Sequence, residues 1–193
     1  LSGSYLVTIT DQDSCSTTIT VLINDAGGPI IDSIVVMDLS CYGDSSGSAM
    51  AHVSSGAAPL TYTWQDDMAN VIGSNSNIIF NLGGGTYTFT VTDNNGCLAS
   101  SSFAVNEPAV LSATPGSTSS SCSACDGTAS VAVTGGMSPY GYIWTDPNTQ
   151  TTATATGLCS GIYICSIYDQ NGCVTSALST VGSLNAPLVT YSV

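Results

Sequence analysis

The residues best suited to chemistry in this 193-residue chain are its eight cysteines, which pair as disulfides in oxidising surroundings. Eight cysteines in an acidic chain rich in Ser and Thr are typical of proteins that fold outside the cytosol. We therefore predict a secreted protein, extracellular or at the cell surface. The alternative is a set of reduced cytosolic thiols.

A second group with chemical potential is a loop of spaced carboxylates and amides that occurs three times. Such oxygens can hold Ca²⁺, although each loop supplies only one or two carboxylates and would need others, such as Asp44 or Asp126. The favoured interpretation is a tight hairpin in which these side chains accept hydrogen bonds from their own backbone. Calcium is the single cofactor that the sequence suggests, and its candidate ligands are Asp11, Asp13, Asp93, Asn95, Asp169 and Asn171.

No constellation for catalysis is found in the sequence. Nucleophilic catalysis needs a base beside the nucleophile, and the single histidine, His52, is predicted on the outward face of a strand. Gly83, Gly84 and Gly85 lack the lysine and the following helix of a phosphate-binding loop and are predicted to form a turn. We predict that the protein is not an enzyme.

The charge of the chain excludes two classes of partner. There are 13 acidic residues and no Lys or Arg, which gives a formal net charge of −13. Nucleic acids and anionic membrane surfaces are bound through basic residues, so neither is an expected partner. No apolar run approaches the roughly 18 residues of a membrane span, so we predict no membrane insertion.

The elements that position these residues belong to an internal repeat. The segment Gly85–Cys97 returns as Gly161–Cys173 and, near the start, as Gly3–Cys15, while Pro29, Pro108 and Pro187 lie 79 residues apart. We therefore predict the C-terminal part of a first repeat at 1–28, a second repeat at 29–107, a third at 108–186, and the first strand of another at 187–193.

Each repeat is predicted to consist of short β-strands. Tyr87, Phe89 and Val91 alternate with threonines, which is the period of a strand with one apolar face. About seven such strands in some 80 residues, with one Trp on the third, are typical of an immunoglobulin-like sandwich. Tyr87 and Tyr163 either form a tyrosine corner, bonding back to the backbone, or simply pack. The predicted fold class is all-β, built of tandem sandwiches.

The order of these motifs resembles a known family. The third repeat contains, in order, the block from Gly127 to Gly136, then Pro139-Tyr140-x-Tyr142-x-Trp144, then Gly-x-Tyr-x₅-Asp-x-Asn-Gly-Cys. This order is similar to that of the SprB-type repeat of gliding-bacterial surface adhesins, which is a relative of the PKD-type sandwich. The resemblance implies a structural or adhesive array exported by the type IX system, without enzymatic activity. We expect a stiff rod in an adhesin or extracellular filament, whose partners are neighbouring repeats and other copies. The alternative is a module that binds surface glycans or proteins through Tyr62, Tyr142 or the loops around Trp64 and Trp144.

The cysteines occur in a pattern that suggests how they pair. Cys125 and Cys159 are both present in the third repeat and both missing from the second, which predicts a disulfide between them. Cys165 takes the inward strand position of Phe89, which predicts a buried free thiol.

The remaining cysteines allow two schemes. The favoured one is intradomain, with bonds Cys41–Cys97 and Cys122–Cys173, although the turns involved fall at opposite ends of a simple sandwich. In the alternative, Cys41 bonds forward to Cys173 and staples the array. That scheme leaves Cys15, Cys97 and Cys122 for repeats outside this sequence or for neighbouring chains.

Overall fold

The computed structural model describes residues 3–23, 27–122 and 124–184. These residues form fifteen β-strands and no helix, so the prediction of an all-β fold is confirmed. The strand predicted at 187–193 lies outside the described residues. The repeat length of 79 residues and the domain bounds stay predictions.

The first two strands, β1 (Gly3–Thr10) and β2 (Ser16–Ile23), form an antiparallel hairpin. Its partners in register include Tyr5 with Val21 and Val7 with Ile19, so these four apolar side chains share one face. That face is exposed, with Tyr5 at 43% and Ile19 at 53%. The corresponding hairpins of the later repeats bury theirs.

The second repeat contains seven strands in two sheets. One sheet has the order β3-β4-β7 and the other β6-β5-β8-β9, which is an immunoglobulin-like arrangement. The strands are β3 (Pro29–Met37), β4 (Gly47–Ser55), β5 (Thr61–Gln65), β6 (Val71–Ser74), β7 (Ile78–Leu82), β8 (Gly85–Thr92) and β9 (Leu98–Val105).

The third repeat contains six strands in the matching order. One sheet is β10-β11-β13 and the other β12-β14-β15. The strands are β10 (Ser112–Thr118), β11 (Gly127–Thr134), β12 (Gly141–Trp144), β13 (Thr154–Leu158), β14 (Gly161–Tyr168) and β15 (Val174–Val181). The four-residue strand β6 has no counterpart here, because the third repeat is four residues shorter between its Trp and the Gly that opens the sixth sandwich strand.

The third repeat has a core of side chains from both of its sheets. Trp144 is 1% exposed and packs with residues of β11, β13, β14 and β15. The buried members of this cluster are Ala129, Val131, Trp144, Ala155, Leu158, Cys165, Ile167, Ala177 and Val181. The alternation of β14, in which Cys165 and Ile167 point inward, follows the period of two in its sequence.

The described chain divides into two compact units. The first comprises Leu1–Val36, Ala49–Ile79 and Thr86–Phe103, and the second Met37–Ser48, Phe80–Gly85 and Ala104–Val193. Within the first unit, Trp64 lies 4.4 Å from Phe89 between ring centroids and 5.7 Å from Phe103. The second unit contains the third repeat together with three short segments of the second. Those segments include the turn that carries Cys41 and the residues Asn106 and Glu107.

Candidate functional site

The recurring Asp loops are the turns that join the last two strands of each repeat, here called the F–G turns. In the third repeat, Asp169 Oδ1 accepts hydrogen bonds from the backbone N–H groups of Asn171 and Cys173, both at 2.9 Å. Its Oδ2 accepts from Met137 N at 2.9 Å. Asp93 makes the same three bonds in the second repeat, with Asn95, Cys97 and Ala57. The favoured turn interpretation agrees with this geometry.

Hydrogen bonding keeps these turn carboxylates ionised. The hydrogen bond from Ala57 N–H is the largest influence that lowers the pKa of Asp93. For Asp169, burial alone would raise the pKa, but bonds from Met137, Cys173 and Asn171 outweigh it and the pKa is lowered. The described residues contain no group of three His, Cys, Asp or Glu side chains suited to a metal ion. Calcium binding stays a prediction.

The turn between the first two strands of the second repeat, here called the A–B turn, presents Cys41. Asp44 organises it: Oδ2 accepts from Cys41 N at 3.1 Å, and Oδ1 accepts from Ser46 N at 3.1 Å. The bond from Ser46 N–H is the main reason that the pKa of Asp44 is lowered. Ser46 Oγ in turn accepts from Ser40 N at 2.8 Å. The cysteine thus sits on a turn whose backbone is held by its own side chains.

Cys41 is bonded to Cys173, with a Cα–Cα distance of 5.7 Å, inside the range that a disulfide needs. The favoured pairing of Cys41 with Cys97 and of Cys122 with Cys173 is therefore wrong, and the forward alternative is the one found. A neutral contact accompanies the bond: Asn171 Nδ2 donates to Ser40 O at 2.9 Å.

The positions of the turns explain the correction. Each F–G turn is hydrogen-bonded to the turn that follows the second sandwich strand. In the third repeat, for example, Met137 N donates to Asp169 Oδ2. The A–B turn instead lies beside the turn between the fifth and sixth strands: a Cβ added at Gly47 would come within 2.7 Å of Leu82 O. Because A–B and F–G turns belong to different ends of a sandwich, a bond between them must join different repeats.

The chain at Glu107 and Pro108 adds a further contact to the A–B turn. Gly43 N donates to Glu107 Oε2 at 3.1 Å, and Asn106 N donates to Asp38 Oδ1 at 2.8 Å. Neither these hydrogen bonds nor the one from Asn171 to Ser40 was predicted from the sequence. One signal in the sequence points to the Asn171 side-chain amide: an Asn recurs two residues after the turn Asp, at Asn95 and Asn171.

Cys125 is bonded to Cys159, the pairing expected from their joint presence in the third repeat. Cys159 also supplies the acceptor of a tyrosine corner, since Tyr163 Oη donates to Cys159 O at 3.1 Å. The disulfide and the tyrosine therefore hold the same turn. In the second repeat, Tyr87 stacks on Phe103 at 5.7 Å between ring centroids.

Four cysteines of the described chain carry free thiols. Cys165 is fully buried, as expected from its inward position, and burial raises its pKa. Cys15, Cys97 and Cys122 are exposed. The exposed three are therefore available for bonds outside the residues described, whereas Cys165 is a core residue.

The tryptophans are core residues. Trp64 and Trp144 are each 1% exposed, and their indole N–H groups donate to Ser76 O at 2.8 Å and Thr152 O at 2.9 Å. The binding alternative therefore cannot use the indole rings themselves, and Tyr62 and Tyr142, its other named residues, are half-buried. The described part of the chain contains no helix long and apolar enough to span a bilayer.

A comparison with protein families bears on the segment that carries the A–B turn and Trp64. Residues 33–69 match the family model of the SprB repeat. The resemblance predicted from the sequence is confirmed over this segment. The match, together with disulfides that fit an oxidising location, supports an adhesin-type surface repeat module. No curated protein shows significant sequence similarity to the chain.

Solved structures with similar folds include three that cover most of this chain. The N-terminal eight Ig domains of Down Syndrome Cell Adhesion Molecule are 14% identical, with a TM-score of 0.49, and the match covers 95% of this chain and 28% of that one. DIP-gamma IG1+IG2 is 12% identical with a TM-score of 0.44, covering 83% and 100%. Domains 7, 8 and 9 of the S-layer protein SbsC are 13% identical with a TM-score of 0.32, covering 97% and 72%.

Proposed function

We propose that the chain is a covalently reinforced, stiff segment of a secreted bacterial surface adhesin or extracellular filament. The observation that carries this proposal is the Cys41–Cys173 disulfide, which joins a turn of the second repeat to a turn of the third. The SprB match at residues 33–69 supports the adhesin-type surface module, and export by the type IX system is proposed from that family alone.

A stiff joint needs more than a short linker. The bond between Cys41 and Cys173 and the one from Asn171 to Ser40 tether the A–B turn to the F–G turn. Glu107, directly before Pro108, binds the same A–B turn through Gly43 N. Pro108 fixes its own φ and so removes one soft dihedral at the joint. These three attachments and the fixed φ of Pro108 lie within a few residues and leave little freedom for bending.

Small-angle scattering of the whole chain tests the rod. The wild type is expected to scatter as an elongated particle of constant maximum dimension, because each repeat contacts only its neighbours. The variant Cys41→Ser with Cys173→Ser should fold but show a wider distribution of dimensions. The control is Cys125→Ser with Cys159→Ser, which removes a bond inside one repeat. A compact globule, or identical dimension distributions for wild type and joint variant, contradicts the proposal.

Adhesion to glycans is the second candidate, and Tyr62 and Tyr142 are the residues that would carry it. A glycan panel probed with the wild type and with Tyr62→Ala and Tyr142→Ala decides between the two. Saturable binding that both substitutions weaken would favour a binding module. Rod-like scattering without binding favours the scaffold.

A further inference from the structure

One sheet of the third repeat has an apolar outer face. Along β12, β14 and β15, inward positions alternate with outward ones, so the outward side chains of the three strands form one surface. Ile164 and Leu178 are direct partners at its centre, and Tyr168 and Val174 are partners nearer the F–G turn. Six large apolar side chains lie on this surface, here called the outer apolar face, and are between 39% and 65% exposed: Ile143, Ile162, Ile164, Tyr168, Val174 and Leu178.

The second repeat carries mainly hydroxyl groups at the same positions. In the same order, its residues are Thr63, Thr86, Thr88, Thr92, Leu98 and Ser102. Thr88 Oγ1 and Ser102 Oγ lie 3.1 Å apart, a hydroxyl pair where the third repeat has Ile164 and Leu178. The two repeats therefore share a sheet whose outer faces differ in chemistry.

The outer face of this sheet is open where repeats succeed one another. In the second repeat, which another repeat follows, Leu98 is 68% exposed and Ser102 is exposed as well. In the third, which another repeat precedes, Val174 beside the F–G turn is 59% exposed. The exposure of Ile164 and Leu178 at the centre of the face is therefore a property of the repeat itself.

Like charge opposes the association of two copies of this chain. The 13 acidic residues have no Lys or Arg to pair with on either copy. The third repeat holds only three of them, and none is an outward residue of β12, β14 or β15. Asp146 and Asp169 are buried in turns, and Asp126 secures the A–B turn by accepting from Ser121 N. The outer apolar face thus brings no carboxylate to a contact, and its chemistry suits an uncharged apolar surface.

The area of the face indicates the strength of such a contact. Strands of four, eight and eight residues, about 4.8 Å apart and rising about 3.4 Å per residue, cover roughly 300 Å². Apolar patches of this size are among the largest on monomeric proteins and are often functional. A stable dimer buries about 800 Å² on each partner, so one pair of faces makes a weak contact. Chains held together in one filament make several such contacts at a high effective concentration.

We propose that the outer apolar face packs on the same face of a second copy of this chain, so that two rods associate side by side. The contact is isologous, because the same residues lie on both sides of it. Two sheets packed in this way lie about 10 Å apart, with Ile164 and Leu178 covered at the centre. The inference extends the proposed filament function, which has its own test: a rod that stays monomeric is still a rod.

Sedimentation of the full chain over a concentration series, up to about 1 mM, tests the contact. The exposed thiols of Cys15, Cys97 and Cys122 are alkylated first, so that disulfide exchange cannot link copies. Moderate salt screens the net charge. The wild type should form a reversible dimer and nothing larger, because an isologous contact closes at two copies.

The variant that tests the face combines Ile164→Thr with Leu178→Ser. It installs the hydroxyl pair that the second repeat carries at Thr88 and Ser102, so it suits the same strand pairing. Dimerisation should weaken by about tenfold or more, because apolar area at the centre of the contact is lost. Unchanged fluorescence of Trp144 shows that the third repeat is folded.

The control Met68→Ser removes a side chain that is 80% exposed outside the face, and it should leave dimerisation unchanged. The double variant is also labelled and mixed with excess wild type, where it should stay largely monomeric. Binding to wild type as tight as that of wild type to itself would mean that the face contacts a different surface, and would overturn the proposal. A wild type that stays monomeric, or equal dimerisation of wild type and double variant, would overturn it as well. Scattering at low concentration still reports on the rod separately.

Discussion

Two successive repeats fill the same place in their cores with different side chains. In the second repeat, Trp64 packs on Phe89 and Phe103. In the third, the matching positions of Phe89 and Phe103 hold Cys165 and Ser179, both buried and both much smaller. The third repeat has instead the Cys125–Cys159 disulfide, for which the second repeat has no cysteines.

The difference indicates that one sandwich can be stabilised by two routes. Large aromatic side chains bury apolar area and make ring contacts. A disulfide instead restricts the unfolded chain, so it can offset a smaller core. Each of the two full repeats contains a single Trp, so fluorescence can report on the unfolding of each one separately in a variant where the other Trp is Phe.

The largest expected effect is on the aromatic core. Phe89→Ala should destabilise the second repeat by about 3–5 kcal/mol, because it removes a fully buried ring and leaves a cavity. Urea unfolding followed at Trp64 measures it. The matched variant Cys165→Ala removes one sulfur from the same position of the third repeat and should cost a small fraction of that. Equal losses would mean that the two cores do not differ as described.

The next effect is on the disulfide. Cys125→Ser with Cys159→Ser should destabilise the third repeat by about 3–4 kcal/mol, as expected for a sequence separation of 34 residues. Unfolding followed at Trp144 should show the loss, while the transition at Trp64 keeps its midpoint. A shift of the Trp64 transition by the same amount would count against a local effect.

Acid should weaken the two repeats alike, since both F–G turns use an Asp with a lowered pKa. A lowered folded pKa contributes stability above the ordinary pKa of Asp, about 3.9, and that stability is lost as the pH falls through the folded value. Unfolding measured from pH 5 to pH 2 should therefore show stability falling below about pH 4. Asp169→Asn should flatten this dependence at Trp144 alone, and an unchanged slope there would contradict the assignment.

The smallest expected effect is a gain. Ser179 Oγ is buried and has no hydrogen-bond partner within the described structure. Ser179→Ala removes that unsatisfied group and should stabilise the third repeat by about 1 kcal/mol. The control Ser120→Ala should destabilise, because Ser120 Oγ donates to Ala124 O at 2.6 Å. Thermal unfolding that shows a loss for Ser179→Ala would indicate a partner for its hydroxyl group.

Local pattern accounts for what the sequence predicted well. The alternation in Tyr87-Thr-Phe89-Thr-Val91 sets the inward face of a strand, and the same logic places Cys165 in the core. The joint presence of Cys125 and Cys159 indicates a bond whichever turns carry them. These inferences need only the chain within one repeat, which is where periodicity and turn chemistry act.

The partner of Cys41 could not be chosen in the same way. Cys97 and Cys173 share one motif, so the sequence offers two equivalent candidates, and the choice depends on which turn lies near Ser40 in space. The missing counterpart of β6 shows a similar limit, since a four-residue deletion could shorten a loop or remove a strand. Both outcomes depend on packing between distant segments.

Non-reducing peptic mapping of the native chain by mass spectrometry tests the central claim most directly. Pepsin is required, because the chain has no Lys or Arg for trypsin. The account predicts one peptide pair that joins Cys41 to Cys173, a second that joins Cys125 to Cys159, and alkylated Cys165 only after denaturation. A peptide that joins Cys41 to Cys97 would contradict the stapled joint.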